Sequence, residues 1–241
     1  MTMPEGGGAI GVIVLDTGFE RLPGDVASAA TWPFPVRFAV ARGVRPADVI
    51  EGDAEAALDV FRRAIDELVD RGVEAITTSC GFLSAVQPRL RAHSPVPFVA
   101  SALQQIPLVL GLLPPDRTVG LLVSDRGSLR DRHFDAIGVP TGLPMAELPV
   151  DGVLRTHMRE NRPKADRAAQ EREVIEVGAT LLAAHPEVGA IVCECANLPP
   201  HSAALRRAVG VPVFDIVTLI DWLHAGLAPR RHTGREAGRG R

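Results

Sequence analysis

Apolar and amphipathic segments alternate along this chain. Residues 9–16, AIGVIVLD, form a continuous apolar run of the length of a buried strand, and residues 55–72 place apolar side chains at helical spacing before Gly72. The same alternation continues as far as residue 227. Strands and helices of these lengths in alternation predict parallel sheets covered by helices on both faces.

The remaining elements follow from the same reasoning. Further strands are predicted at 36–42, 73–79, 96–101, 118–125, 188–194 and 211–215. Further helices are predicted at 85–93, 102–113, 127–137, 165–185, 199–208 and 216–227. The helix at 102–113 is apolar on most sides, which predicts that it is well covered, with a bend near Pro107. Residues 20–50 are rich in Pro and Gly and fit the alternation least well.

Two segments of the chain are repeated. A shift of 115 residues aligns nine identities without a gap and brings Cys80 onto Cys195. A shift of 109 residues brings the Asp-x-Gly at Asp16 onto the Asp-x-Gly at Asp125. Apolar matches alone could reflect two similar βα units, but a shared Cys and a shared Asp-x-Gly just past strand ends are more specific.

The repeat predicts the fold class, which is α/β with two pseudo-symmetric flavodoxin-like lobes on parallel sheets. The first lobe is expected at 9–113 and the second at 114–214, with a C-terminal helix within 215–228 packing back on the first. Residues 1–8 and 229–241 are expected to be disordered termini. Ligands of open α/β sheets bind beyond the carboxyl ends of the strands, so the active site is expected in the cleft between the lobes.

Composition narrows the classes of partner. The chain is 46% hydrophobic and 23% charged, and its formal net charge of −3 indicates neither nucleic acid nor an anionic membrane as a partner. No apolar run reaches ~18 residues, and the first residues lack the features of a secretory signal. Three cysteines do not make a disulfide framework, so a reducing cytoplasm is the expected location.

Cys80 and Cys195 each follow a predicted strand and precede a helical segment. The N–H groups and the dipole at a helix start favour a thiolate, and a nearby carboxylate can accept the thiol proton. An acid–base group on each side of a bound carbon lets a proton leave one face and return on the other. The arrangement predicts racemisation or epimerisation of a small molecule without a cofactor.

These motifs resemble the aspartate/glutamate racemase superfamily, which also contains hydantoin racemases, maleate isomerases and arylmalonate decarboxylases. GVIVLDTG (11–18) looks like the family's opening strand, and TTSCG (77–81) stands at the place of its first catalytic cysteine. VGLLVSDRGS (119–128) is similar to the strand and glycine turn that open the second lobe, and CANLP (195–199) resembles the second cysteine motif. The likeness covers most of residues 9–225.

The resemblance implies which residues form the site. Cys80 and Cys195 are implied as the acid–base pair, with Asp16 as the partner of Cys80. A substrate carboxylate or carbonyl would be held by hydroxyl and amide groups and by backbone N–H groups at helix starts. The residues implied in substrate binding are Thr17, Thr78, Ser79, Gly81, Phe82, Ser124, Ala196 and Asn197.

Departures from the family pattern bear on the substrate. Residues 81–83 follow the first cysteine where amino-acid racemases usually have Asn-Thr, and Asn197 replaces a His or Glu. Glu194 stands where a glycine is usual. These changes put an ordinary aspartate or glutamate substrate in doubt. Phe82, together with the aromatic residues of segment 32–34, suggests a less polar or cyclic substrate.

Other candidate residues carry weaker signals. Cys193 shares a predicted strand with Cys195, but two cysteines with only His201 near them in sequence are too few ligands for zinc, so no metal site is expected and Cys193 is assigned to the strand core. His201 is expected to be a surface residue at a helix start. Asp25 could border the cleft or belong only to a turn, and Asp125 could act in the site or pair with the arginine that follows it.

The expected function is that of an isomerase, a cofactor-independent racemase or epimerase of a small carboxylate or cyclic carbonyl compound. A lyase of the same superfamily, using one cysteine as proton donor or nucleophile, is the first alternative, and a non-enzymatic small-molecule binding protein is the second. An enzymatic role predicts that a catalytic thiol ionises below the ordinary thiol pKa of ~8.5. Whether the chain forms a homodimer is left open.

Overall fold

Two four-stranded parallel sheets form the framework of the protein. The strands are β1 (Ile10–Leu15), β2 (Val36–Ala41), β3 (Ala75–Thr78), β4 (Phe98–Val99), β5 (Thr118–Val123), β6 (Met145–Glu147), β7 (Val188–Cys193) and β8 (Val213–Phe214). The first sheet has the order β2-β1-β3-β4 and the second the order β6-β5-β7-β8. The structure is a computed structural model that describes residues 8–229. It confirms the predicted α/β class with two similar lobes.

Helices follow the strands along the chain. The α-helices are α1 (Pro46–Ile50), α2 (Leu58–Asp70), α3 (Gln87–His93), α4 (Ile106–Leu112), α5 (Asp131–Asp135), α6 (Val153–Arg159), α7 (Arg167–Ala184), α8 (Pro199–Val209) and α9 (Ile216–Leu227). Short 3₁₀ turns lie at Ala29–Thr31, Ala54–Ala57, Gly81–Val86 and Ala102–Gln105. The long helices α2 and α7 occupy equivalent places, since α2 packs on β1 and β2 and α7 packs on β5 and β6.

The internal repeat has a packing basis at the first strand of each sheet. Gly11 in β1 and Gly120 in β5 are equivalent residues of the repeat. A Cβ on Gly11 would lie 2.9 Å from Leu68 Cδ1 of α2. A Cβ on Gly120 would lie 2.9 Å from Leu181 Cδ2 of α7. Because each helix packs a leucine directly on the strand backbone, a larger residue does not fit at either position.

Two predicted helices begin differently from expectation. The 3₁₀ turns at Ala54–Ala57 and Ala102–Gln105 replace the first turns of the helices predicted at 55–72 and 102–113. Pro107 lies in the first turn of α4, where its missing N–H breaks no intrahelical bond, so it starts the helix instead of bending it. The helix is also less covered than predicted, because Leu108 and Leu112 are 54% and 70% exposed.

The helix predicted at 127–137 is reduced to α5. Asp125 Oδ1 accepts a hydrogen bond from the Ser128 N–H, and the Ser128 hydroxyl donates to Asp125 Oδ2, at 3.2 Å in both cases. These bonds hold the chain in a turn where the sequence pattern indicated helix. The strand β6 and the helix α6 were not predicted, because both lie in a segment with several Pro and Gly residues that favours loops.

The C-terminal helix α9 contacts the first lobe. Gln105 Nε2 donates to the carbonyl of Asp215, which precedes the helix, at 2.9 Å. The ring of His224 in α9 stacks on Phe34 with 3.7 Å between ring centroids. Ile216 and Ile220 are buried in the same hydrophobic core as β1 and β3. The lobe boundaries at 113 and 214 stay a prediction, and nearly all of the predicted disordered termini lie outside the described residues.

The two lobes are joined by a shared core and by the long β1–β2 loop (residues 16–35). The core contains side chains of both sheets, and Phe82 packs edge-on against His133 with 5.5 Å between centroids. The β1–β2 loop binds the segment after α6, where Asn161 Oδ1 accepts from the Gly18 N–H at 2.7 Å and Glu20 Oε2 accepts from the Ala165 N–H at 2.7 Å. The loop therefore bridges the lobes beside the carboxyl ends of the strands. None of the helices described in residues 8–229 is long and apolar enough to cross a membrane.

Candidate active site

Cys80 and Cys195 occupy equivalent places at the carboxyl ends of β3 and β7. Cys80 precedes the 3₁₀ turn at Gly81–Val86, and Cys195 precedes the loop that leads into α8. Both are nearly buried, at 7% and 8% exposure. Gly81, which follows Cys80, lies against Glu194, which precedes Cys195, so the two cysteine turns meet between the lobes. The structure thus brings together the two cysteines that the repeat singled out.

The backbone N–H groups that follow each cysteine favour its thiolate, as the positions of the cysteines at helical starts predicted. Those of Phe82 and Leu83 lower the pKa of Cys80, and that of Asn197 lowers the pKa of Cys195. Burial outweighs them and, with the negative charge of Glu194, raises the pKa of Cys80 to about 12 and that of Cys195 well above its usual range. Both directions run against the expected ionisation below the ordinary thiol pKa, because desolvation exceeds the effect of the N–H groups.

Glu194 is a site residue whose role the sequence did not predict. Its side chain is buried at 1% exposure, and burial raises its pKa to about 7. Its charge acts on both Cys80 and Cys195. The sequence signal that could have identified this residue was Glu194 itself, which stands immediately before Cys195 where a glycine is usual.

A buried polar network joins the β1–β2 loop to the second cysteine. Asp25, which is 3% exposed, pairs with Arg21 at 3.2 Å and accepts a 2.5 Å hydrogen bond from Asn197 Nδ2. Asn197 Oδ1 lies 3.7 Å from Cys195 Sγ as its acceptor. Arg21 also lies over the ring of Phe19 at 4.1 Å, and its charge lowers the pKa of Cys80. Asp25 therefore lies beside the candidate site. This agrees with the first of the two interpretations of the sequence, that Asp25 borders the cleft and does not belong only to a turn.

The predicted hydroxyl ligands are engaged with the backbone around the strand ends. Ser79 Oγ accepts from the Leu15 N–H at 3.1 Å, and Thr78 Oγ1 donates to the carbonyl of Ala100 at 2.8 Å. Thr17 Oγ1 accepts from Arg21 at 2.9 Å and is partly accessible. The hydroxyls of Thr78 and Ser79 thus hold the end of β3 in place before Cys80. The Thr17 hydroxyl instead contacts the guanidinium of Arg21.

Asp16 does not contact Cys80 in this structure. Its carboxylate is exposed and accepts a hydrogen bond of 2.8 Å from the Gly43 N–H, which holds the turn after β2. The charged groups that act on Cys80 are Glu194 and Arg21 instead. The partnership of Asp16 with Cys80 implied by the resemblance is therefore absent here.

The other predicted substrate contacts are mostly buried. Phe82 is 1% exposed and lies in the interface between the lobes, against His133, and Ala196 is 3% exposed. Gly81 and Ser124 both contact Glu194. Their roles in substrate binding stay predictions.

The aromatic residues of segment 32–34 belong to the core. The Trp32 indole N–H donates to the carbonyl of Val26 at 3.0 Å, and its ring lies 5.3 Å from that of Phe34. Phe34 in turn stacks on α9, so these rings hold the loop against the C-terminal helix.

The weaker candidates Asp125, Cys193 and His201 have largely structural surroundings. Asp125 pairs with Arg155 at 2.9 Å and caps its own turn. Cys193 is 1% exposed in the core, and burial raises its pKa. His201 is fully buried, neither ring nitrogen is hydrogen-bonded to any residue of the described range 8–229, and burial lowers its pKa to about 4. The surface position expected for His201 is wrong, because the ring faces inward from the first turn of α8. Within residues 8–229, no cluster of three His, Cys, Asp or Glu side chains is placed to bind a metal.

The chain is similar in sequence to curated lyases. It is 27% identical over 236 residues to a dimethylsulfoniopropionate lyase of Durusdinium sp. clade D, covering 94% of this chain and 77% of that protein. It is 28% identical over 231 residues to dimethylsulfoniopropionate lyase 5 of Emiliania huxleyi, covering 90% of this chain but only 45% of that protein. No protein-family model matches the chain.

Solved structures of the predicted superfamily have the same fold. The Gly74Cys mutant of arylmalonate decarboxylase aligns with a TM-score of 0.62 and 20% identity over 95% of this chain and 96% of that one. Allantoin racemase from Klebsiella pneumoniae aligns with a TM-score of 0.61 and 18% identity over 93% and 91%. An aspartate racemase homologue from Pyrococcus horikoshii aligns with a TM-score of 0.56 and 16% identity over 92% and 99%.

These comparisons correct one expectation and confirm another. The assignment as an isomerase is wrong, because the curated relatives are named as lyases. Paired thiols could not separate the two classes, since a thiol that removes an α-proton can start either reaction. The fold implied by the resemblance is confirmed, since the chain has the two-lobed fold of arylmalonate decarboxylase, allantoin racemase and the aspartate racemase homologue.

Proposed function

We propose that this protein is a cofactor-independent lyase that breaks the C–S bond β to a carboxylate, with dimethylsulfoniopropionate as the substrate to test. The observation that carries the proposal is the pair of buried thiols at equivalent strand ends, in a chain similar to dimethylsulfoniopropionate lyases. We propose that Cys80 or Cys195 is the acid–base group that acts on the α-carbon of a small carboxylate bound between the lobes.

The reaction needs one base and no external reactant. A thiolate removes the proton from the α-carbon and forms S–H. The electron pair of the broken C–H bond forms the double bond between the α- and β-carbons. The bond between the β-carbon and the positive sulfur breaks, and the sulfur keeps its electron pair. Dimethyl sulfide and acrylate are the products, and one proton is released to solvent.

The charges around the thiols suit a substrate of this kind. Glu194 and Asp25 are buried carboxylates, and Arg21 is the cation whose charge acts on Cys80. A sulfonium bound beside these carboxylates would supply the missing positive charge and lower the pKa of a nearby thiol. The substrate would therefore help to form the thiolate that burial disfavours.

The carboxylate of the substrate requires hydrogen-bond donors. Arg21 provides a guanidinium that is 15% exposed, and Thr17 provides a hydroxyl beside it. The N–H groups of Phe82, Leu83 and Asn197 stabilise negative charge at the thiols and would do the same for an enolate-like transition state. We propose that Thr78 and Ser79 act by positioning the turn at Cys80, because their hydroxyls are bonded to the backbone.

Non-enzymatic binding is the second candidate, and the raised thiol pKa favours it. A protein that only binds a small molecule has no need of an ionised cysteine. The two functions differ in whether a thiol reacts once the ligand is bound, so product analysis separates them.

The test is incubation of the purified protein with dimethylsulfoniopropionate, followed by proton NMR in D₂O and headspace analysis of dimethyl sulfide. The proposal predicts equal amounts of acrylate and dimethyl sulfide, formed in proportion to the amount of protein. Phenylmalonate and 2-hydroxypropionate serve as comparison substrates for decarboxylation and for exchange at the α-carbon. Release of carbon dioxide from phenylmalonate without any sulfide from the first substrate would contradict the proposal.

A further inference from the structure

The carboxyl group of Glu194 lies between the two cysteine turns. Glu194 stands between Cys193 and Cys195, and its N–H donates to the carbonyl of Leu122 at 2.9 Å. Its side chain is 1% exposed and reaches Gly81, the residue after Cys80 in the first lobe. One carboxyl group is therefore next to one cysteine along the chain and next to the other in space.

The contact with Gly81 is close enough to exclude any side chain there. A Cβ on Gly81 would overlap Glu194 Oε1 and would lie 3.0 Å from Glu194 Cδ. Glycine at position 81 thus leaves room for the carboxyl group beside the Cys80 turn. The Glu194 backbone oxygen would lie 2.5 Å from the same Cβ, so the Cys80 turn packs closely on the main chain of Glu194 as well as on its carboxyl group.

The two oxygens of Glu194 differ in their surroundings. Oε2 accepts from the Ser124 N–H at 3.4 Å and from the Ser124 hydroxyl at 3.5 Å, which are long hydrogen bonds. Oε1 is buried and has no hydrogen-bond partner among the described residues. A buried carboxylate oxygen without a donor is unfavourable, so this oxygen is suited to take up a proton.

The neighbouring charges are those of the candidate site. The Glu194 charge is the largest charge effect on the pKa of both Cys80 and Cys195. Burial, together with a smaller effect of the Asp125 charge, raises the pKa of Glu194 itself to about 7. The other charged or titratable groups that act on the thiols are Arg21 at Cys80, Asp25 at Cys195, and Asp215 at Cys193.

We propose that Glu194 is the acid–base partner of both cysteines and takes the Sγ proton of whichever thiol acts as the base. The S–H bond breaks and an O–H bond forms at Oε1, which gives a thiolate and a neutral carboxylic acid with no change in total charge. The thiolate then removes the α-proton of the substrate, and Glu194 releases its proton to solvent at the end of the cycle. The inference rests on the proposed function for the substrate, but the coupling between Glu194 and the thiols does not depend on it.

The coupling is measured without substrate. Wild type, Glu194→Gln and the control Glu187→Gln are alkylated with iodoacetamide between pH 5.5 and 10, and Cys80 and Cys195 are followed separately by mass spectrometry. Glu187 is an exposed residue at the opposite end of β7. The expected wild-type rate rises tenfold per pH unit, flattens from about pH 7 as Glu194 loses its proton and opposes thiolate formation, and then rises again. Glu194→Gln is expected to show no flattening and to react at least as fast as wild type at neutral pH.

Turnover of dimethylsulfoniopropionate separates proton transfer from a mere effect of charge. Glu194→Gln is expected to lose about 10²-fold or more in kcat although its thiols are no less reactive. Glu187→Gln is expected to match wild type in both measurements. Absence of flattening in wild type, an unchanged profile in Glu194→Gln, or turnover by that variant close to wild type would each overturn the proposal. If wild type forms no sulfide, the proposed function fails, and the alkylation profiles still decide the role of Glu194.

Discussion

Asn197 Nδ2 donates a hydrogen bond of 2.5 Å to Asp25 Oδ2, joining the loop after β7 to the β1–β2 loop of the other lobe. Asp25 also pairs with Arg21, whose side chain is 15% exposed. The β1–β2 loop therefore contacts the candidate site through Asp25. The bond ties the loop that carries Cys195 to residues 16–35, most of which fit the predicted alternation of strands and helices poorly.

The first prediction concerns this contact. Asp25→Asn removes the charge that pairs with Arg21 and is expected to lower the free energy of unfolding by about 1–3 kcal/mol, because the partners left behind are buried. The measurement is urea unfolding followed by circular dichroism. Asp59→Asn is the control, since Asp59 pairs with Arg62 on the surface and such pairs contribute about 0–1 kcal/mol. Equal losses in the two variants would contradict the structural role given to Asp25.

The second prediction concerns Gly81. Gly81→Ala is expected to lower the free energy of unfolding by about 1–3 kcal/mol, because its Cβ would overlap the buried Glu194 carboxyl group. Gly111→Ala is the matched control, since Gly111 lies in α4 with nothing within 4 Å of a Cβ. The control is expected to be neutral or to gain up to about 1 kcal/mol from helix propensity. Thermal and urea unfolding of both variants test the pair, and an unaffected Gly81→Ala would show that Glu194 is not where we place it.

The third prediction concerns the pH dependence of stability. Glu194 has its pKa raised from 4.5 to about 7 on folding, so the folded state binds more protons than the unfolded state between these values. Its contribution to stability is fully present below pH 4.5 and is lost as pH rises through 7, which amounts to about 3 kcal/mol at most. Glu194→Gln should therefore gain stability relative to wild type as pH rises across this window.

The difference between the two proteins isolates Glu194 from other titrations. His201, whose lowered pKa of about 4 has the opposite sign, contributes stability above pH 6.5 that is lost as pH falls, and it does so in both proteins. The measurement is the free energy of unfolding of wild type and Glu194→Gln at intervals from pH 4.5 to 8. A constant difference over this range would contradict a raised pKa at Glu194.

The fourth prediction concerns thiol reactivity. With a pKa of about 12, Cys80 in the folded protein has a thiolate fraction of about 10⁻⁴ at pH 8, against about a quarter for an ordinary thiol. Alkylation of native Cys80 at pH 8 is therefore expected to be about 10³-fold slower than in protein unfolded by urea. Peptide mapping after timed alkylation measures this ratio. A native rate similar to the unfolded rate would show that the thiol is ionised or freely exposed.

The fold was largely predictable because its information is local and repeated. Continuous apolar runs located strands such as β1 and β7, and the repeat matched β1 with β5 and β3 with β7 across the two sheets. Short elements such as β6, which has three residues, carry too little pattern to be recognised. The length of α5 was missed because a side-chain turn at Asp125 competes with helix in a way that helical periodicity does not reveal.

The site was predictable only where one residue type carries the chemistry. Cys80 and Cys195 stood out by chemistry and by the repeat, and the structure brings the turns that carry them into contact through Gly81 and Glu194. The partner of Cys80 differs, because Glu194 reaches it from the other lobe, whereas Asp16 binds Gly43. Such contacts depend on which surfaces of the two lobes pack together. A single sequence does not predict which residues of one lobe contact which residues of the other. The buried His201 was missed for a similar reason, since the inward face of α8 is set by packing.

The central claim is that thiol chemistry at Cys80 and Cys195 drives C–S bond cleavage. The most direct test measures dimethyl sulfide release from dimethylsulfoniopropionate by wild type, Cys80→Ala, Cys195→Ala and Cys193→Ala. Cys193 is the control because it is a buried core cysteine at the end of β7, two residues before Cys195. Each of the first two variants is expected to lose about 10²-fold or more, the larger loss identifying the base, while Cys193→Ala stays close to wild type. Sulfide release that survives the loss of Cys80 and of Cys195, in variants shown to be folded, would contradict the account.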